Sequence, residues 1–75
     1  MMTIAQAKKM GVQAFRNGLG RAPAQNPEFI KPACASGNLI AMMDAYTEGW
    51  TYANLAQDAI PGAPSIAALA AIEAA

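Results

Sequence analysis

The stretch Thr3–Asn17, TIAQAKKMGVQAFRN, decides the fold. Thr3 with Gln6 three residues later is a capping-box pattern, and no proline occurs between Ile4 and Asn17. At 100° per residue, Ile4, Ala7, Gly11, Ala14, Phe15 and Gly18 fall along one line with Met10 beside them, while Lys9, Gln13 and Arg16 take the opposite side. This spacing predicts an amphipathic helix over residues 4–17, stopped by Gly18 and Gly20. Ala7, Gly11, Ala14 and Gly18 make that apolar line narrow, so a second helix can approach closely.

The rest of the chain repeats helical punctuation. Asn26-Pro27-Glu28 combines a capping side chain, a preset φ at the first helical position and an acid at the positive helix end. Pro32 must kink or shorten that second helix, Gly37 ends it, and Asn38 can cap the next. Leu39, Met42, Met43, Tyr46 and Trp50 then hold one face, opposite Asp44, Thr47 and Glu48. Beyond Gly49 the pattern slips, which predicts a kink or a restart with Thr51 as cap and Tyr52, Leu55, Ala56 and Ala59 as a new stripe. Pro61-Gly62-Ala63-Pro64-Ser65 reads as a turn, with Ser65 capping a last helix over 66–75. That helix carries only Glu73 among its charges and needs cover from the body of the protein or from another chain. No β-type alternation persists beyond four residues. The expected fold is all-α: one domain over 1–75, a bundle of four or five short helices whose C-terminal part has a helix-turn-helix outline.

Composition narrows the function classes. The 75 residues are 55% apolar and 13% charged, too hydrophobic for a disordered acidic or basic tail. There is no histidine, so a Ser-His-Asp or Cys-His arrangement cannot be assembled. One cysteine and five scattered carboxylates do not make a zinc or iron–sulfur site, and Cys34 reads as a packed small hydrophobe. No catalytic residues, metal ligands, cofactor or small-molecule substrate are expected. The longest uncharged run, 59–72, is broken by Pro61, Gly62 and Pro64, so no membrane span is expected. The start of the chain reaches Lys8 and Lys9 without the apolar core of a secretory signal, which points to a reducing, cytoplasmic location.

Formal net charge is zero, yet the charges are sorted along the chain. Lys8, Lys9, Arg16, Arg21 and Lys31 all lie in the first 31 positions against Glu28 alone, and the remaining residues carry only Asp44, Glu48, Asp58 and Glu73. The arrangement suits either a basic face for an anionic partner or neutralisation between packed helices. Gly18-Leu19-Gly20-Arg21 lacks the third glycine of a dinucleotide loop and the lysine of a P-loop, so it reads as a helix stop. Asp44 and Glu48 at i,i+4 read as a solvated edge or as partners of Lys9 and Arg16. Tyr46 and Trp50 read as core, and Tyr52 as the aromatic free for an exposed contact.

Gly11-Val12-Gln13-Ala14, then Gly20-Arg21, Asn26-Pro27-Glu28-Phe29 and finally Tyr46-Thr47-Glu48-Gly49-Trp50 with Ala53 one turn on are spaced so that the first fifty-odd residues resemble the small ribosome modulation factor family and its phage- and plasmid-borne relatives. The chain departs from that pattern in a longer gap between Asn-Pro and Gly-Trp and in lacking a strong positive charge. The resemblance implies a small non-enzymatic protein that docks on ribosomal RNA or a comparable machine through Lys8, Lys9, Arg16 and Arg21.

The functional expectation is a helical binding protein that modulates or inhibits a larger cytosolic assembly, with the ribosome or RNA contacted through Lys8, Lys9, Arg16 and Arg21. The alternative is a phage-type inhibitor or adaptor that buries Tyr52, Ile66 and Leu69 against one host protein. A dimeric helix-turn-helix DNA regulator is a third reading, weakened because the last helix offers Ser65, Ile66, Ala67, Ala68 and Leu69 where base-reading side chains belong.

Overall fold

A computed structural model describes residues 2–74. It is helical throughout, with α1 (Ile4–Arg16), a 3-10 turn (Pro23–Gln25), α2 (Pro27–Ala35), α3 (Leu39–Gln57) and α4 (Pro64–Ala74), and among the described residues there is no strand. The all-α expectation holds, although α3 is not short.

α1 begins as its sequence dictates. The Gln6 backbone N–H donates to Thr3 Oγ1 at 3.1 Å, and the Thr3 N–H donates to Gln6 Oε1 at 2.9 Å, closing both halves of the capping box. It ends in a Schellman motif: Gly18 N–H donates to the Phe15 carbonyl at 3.1 Å and Leu19 N–H to the Ala14 carbonyl at 2.9 Å. Gly18 takes φ +76, the left-handed conformation that this motif requires. Gly20 has no part in it.

α1 packs along α3, and the two meet backbone to backbone. A Cβ on Gly11 would collide with the Tyr46 carbonyl and lie 2.9 Å from the Trp50 nitrogen; one on Gly49 would collide with the Lys8 carbonyl. Gly49 is therefore a contact point and does not break the helix. α3 runs unbroken through it for 19 residues, correcting the expected kink or restart. Thr51 caps nothing, since its hydroxyl donates to the Thr47 carbonyl one turn earlier at 2.8 Å. Leu55, assigned to a second buried stripe, is exposed.

The two remaining helices close the core from different directions. α2 delivers Phe29 and Ala33, one turn apart and both fully buried, against Tyr46, with the Phe29 and Tyr46 ring centroids 4.4 Å apart. Ala7, Ala14, Met42 and Ala45 complete this cluster. α4 delivers Ile72 onto Val12 and Ala53, with Phe15, Tyr52 and Leu69 around them. Val12 lies off the apolar line of α1 and is buried because α4 covers that flank. The α1–α3 pair is thus the spine, faced by α2 at one cluster and by α4 at the other.

Several local expectations change. The Asn26 side chain does not cap α2; its carbonyl accepts from the Phe29 and Ile30 N–H groups, and its amide goes elsewhere. Asn38 likewise starts α3 through its carbonyl only. α2, by contrast, ends as expected: it passes through Pro32, runs nine residues, and Gly37 follows the Ser36 C-cap with φ +75. α4 starts on Pro64, whose fixed φ suits the first helical position, so Ser65 lies inside the helix and is not its cap. The preceding turn closes with Ala63 N–H donating to the Ile60 carbonyl at 3.1 Å around Pro61 and Gly62 (φ +87), as a type II turn requires. Cys34 is exposed, not packed, because α2 turns Phe29, Ile30 and Ala33 toward the core.

The principal extents are 38 × 22 × 15 Å. With helix axes packing roughly 8–10 Å apart, the shortest extent leaves room for about two layers, so grooves between neighbouring helices stay open to solvent. Among the described residues, no helix is long and apolar enough to cross a membrane.

Candidate functional site

Four of the ten charged side chains pair within the fold. Lys8 pairs with Glu48 at 3.7 Å, tying α1 to α3, and Arg16 pairs with Glu73, tying α1 to α4. This differs from the expected pairing of Asp44 and Glu48 with Lys9 and Arg16: the partner on α1 is Lys8, and Asp44 is exposed. Among the described residues, Lys9, Arg21 and Lys31 have no carboxylate within ion-pair distance. The four basic residues singled out from sequence do not line one common surface: Lys9 and Arg16 share a hollow with Glu73, and Lys8 lines a separate cleft. Two are engaged, and Arg21 stands apart on the loop after α1.

Of the concave surfaces that arise from this packing, two exceed about 300 Å³, and each collects a different chemistry. The first is a cleft of about 310 Å³ where the start of α1 meets α3 and α4. Ile4, Ala5, Ala68, Ala71 and Ile72 make its aliphatic walls; Tyr52 and the Lys8–Glu48 pair occupy the α1–α3 side. Tyr52 is half-buried here instead of fully exposed, since α4 packs beside it. Leu69 does not line this cleft; it is half-buried beside Phe15 and Ala53. Ile66 is 37% exposed near the start of α4. The three apolar residues expected to touch a partner thus divide between a cleft, a core edge and a helix end. Ala67, Ala70, Ala71 and Ala74 remain exposed on α4, so the body of the protein does not supply the cover that so apolar a helix needs.

The second surface is a furrow of about 570 Å³ between α1 and the segment that leads into α2. Sequence reasoning does not find it, because its residues come from three elements with no common motif. Met10, Ala14, Leu19 and Pro27 line it with apolar surface. Four carboxamides, Gln13, Asn17, Gln25 and Asn26, line it as well, with Lys9 and Glu28 as its charges. The furrow is built on fixed supports. Asn26 Nδ2 donates to Tyr46 Oη at 3.0 Å, and Trp50 Nε1 donates to the Leu19 carbonyl at 2.9 Å, so two aromatics of α3 pin both ends of the loop. Trp50 is accordingly half-buried and not a full core residue, packing edge-on against Phe15 at 5.2 Å. An adjoining hollow shares Leu19, Gln25 and Asn26 with the furrow and extends to Gly20 and Ala22, the neighbours of Arg21.

The Gly18–Arg21 segment is confirmed as a helix stop: the Gly18 and Leu19 N–H groups are used in the Schellman bonds. The helix-turn-helix outline exists as α3, the segment 58–63 and α4, but the exposed surface of α4 is alanine and Ile66, and its one carboxylate pairs with Arg16. No protein-family model, curated protein or solved structure matches the chain.

Proposed function

We propose that this is a non-enzymatic helical binding protein that acts by docking on a protein component of a larger macromolecular assembly, in the manner of an inhibitor or adaptor. The observation that carries the reading is the α1–α3–α4 cleft, where aliphatic walls and Tyr52 come together beside an α4 whose outer surface is uncovered alanine. Apolar concave surface with an amphipathic aromatic on its edge is what protein interfaces use as an anchor point. The cation inventory supports the same choice over a ribosome- or RNA-docking mode, because Lys8 and Arg16 are already neutralised by Glu48 and Glu73.

Affinity capture from bacterial lysate with the tagged chain, with and without nuclease, tests the reading. A nuclease-resistant protein partner that is lost with Ala71→Glu and retained with Lys9→Gln is the expected result. Capture that disappears with nuclease, or that depends on Lys9 and not on Ala71, would reject it in favour of an RNA-contacting mode.

A further inference from the structure

We infer that α4 is a displaceable strap, and that the groove it covers on α1 and α3 receives an amphipathic helix of a partner protein. That helix carries larger aliphatic side chains than α4 and an acid in the place of Glu73. The inference goes beyond the cleft reading, in which α4 stays docked, and does not rest on it.

The body of the protein keeps its own core without α4. The cluster built on Phe29 and Tyr46 draws on α1, α2 and α3 and contains no residue of α4, and the backbone contacts at Gly11 and Gly49 lie wholly between α1 and α3. α4 takes part only in the second cluster, where Val12 and Phe15 of α1 and Tyr52 and Ala53 of α3 form the floor of the groove. It meets that floor through Ile72, its one buried residue, and through Leu69, which is half-buried. Among the described residues, its only side-chain hydrogen bond to the body is the half-exposed Arg16–Glu73 pair. A segment held by so few buried contacts opens at a free energy below that of global unfolding.

α4 also leaves its seat unfilled. A hollow of about 310 Å³ runs along one flank, where Ala68 and Ala71 present only methyl groups, and one of about 210 Å³ runs along the other, beside Phe15 and Leu69. A helix with leucine in the place of Ala68 would occupy the first hollow, and each further methylene buried there improves binding about fourfold.

The helix already seated in the groove defines the chemistry of its replacement. Ser65, Ala68, Leu69 and Ile72 face inward at i, i+3, i+4 and i+7, the anchor spacing of a helix laid in an apolar groove. Glu73 follows the last anchor and reaches Arg16, so an acid at that position is matched by a cation on the groove's rim. A second copy of α4 is a poor occupant, because it gains no contact over the resident helix, which is tethered and competes at an effective concentration on the order of mM. A bulkier helix of the same pattern is what outcompetes the tether.

The test uses the full chain and a labelled synthetic peptide of residues 64–74 carrying Ala68→Leu, read by fluorescence anisotropy and by amide exchange. Saturable binding is expected, with faster exchange across 64–74 of the full chain and unchanged protection across 39–57. Ile72→Ala in the full chain loosens the strap and should tighten peptide binding about tenfold or more, whereas Ile72→Asp in the peptide should abolish it. A peptide with Glu73→Lys should bind on the order of threefold more weakly than its parent, and Arg16→Glu in the full chain should reverse that preference, a ratio in which the strap's own competition cancels. Ala71→Glu in the full chain, which removes the partner that the cleft reading requires, should not weaken this peptide, so the two readings fail separately. Absence of binding, no gain with Ile72→Ala, or binding that leaves exchange across 64–74 unchanged would overturn the inference; the last result would place the peptide in the cleft with α4 still docked.

Discussion

Gly11 in α1 and Gly49 in α3 mark one helix crossing from its two sides: Gly11 rests on the Tyr46 carbonyl, and Gly49 on that of Lys8. Every other contact between the two helices depends on this spacing. Alanine at Gly49 would gain about 1 kcal/mol in helix propensity but force backbone apart, a cost of about 3 kcal/mol or more. The clash wins. Gly49→Ala should lose at least about 2 kcal/mol and lower Tm by roughly 10 °C in a domain this small. Gly20→Ala, at a glycine with open space around it and no positive φ, should be close to neutral in the same urea or thermal titration.

That crossing also shows what is legible in the sequence and what is not. Some signals confined to one turn form as their local chemistry requires, namely the Thr3–Gln6 capping box, Pro27 opening α2 and the Pro61-Gly62 turn, whereas the equally local side-chain caps at Asn26, Asn38 and Ser65 do not. Gly49 misleads because its low propensity is a local signal and the reason for its presence is Lys8, forty-one positions away. The same limit hides the Arg16–Glu73 pair and the burial of Val12, both created by where α4 lands. The furrow is invisible for a related reason, since its carboxamides are ordinary surface residues until the loop brings Gln25 and Asn26 across from Gln13 and Asn17.

The attachment of α4 should rest on Ile72 more than on charge. Ile72 is the one residue of this helix that is buried, whereas both members of the Arg16–Glu73 pair are nearly half exposed. Ile72→Ala should cost about 2 kcal/mol or more and speed amide exchange in 64–74. An Arg16→Gln, Glu73→Gln double-mutant cycle should give a coupling of only about 0.5 kcal/mol that fades in molar salt. A coupling larger than the Ile72→Ala effect would reverse this order.

Tyr46 links the core to the furrow through its hydroxyl, which accepts from Asn26. Tyr46→Phe keeps the ring against Phe29 and removes only that bond, so it should cost about 1 kcal/mol. The effect should be local, with faster amide exchange around Asn26 and no change near Ile72. A uniform change in exchange would mean that the hydroxyl does not position the loop.

Cys34 should react with a thiol reagent such as DTNB in the folded protein at nearly the rate of the unfolded chain, because its side of α2 faces solvent. Strong protection that disappears only in denaturant would show that this surface of α2 is covered in solution.

Pro32 tests how far α2 is limited by its own sequence. It sits at the sixth position of a nine-residue helix, where an ordinary residue would donate its N–H to the Glu28 carbonyl. Its ring is exposed, and the buried residues of α2 are Phe29 and Ala33, so removing it opens no cavity. Pro32→Ala restores the ladder bond and up to about 3 kcal/mol of helix propensity, against a loss of roughly 1 kcal/mol from a more flexible unfolded chain. The net gain should be about 1–2 kcal/mol in urea titration, with slower amide exchange across 30–35.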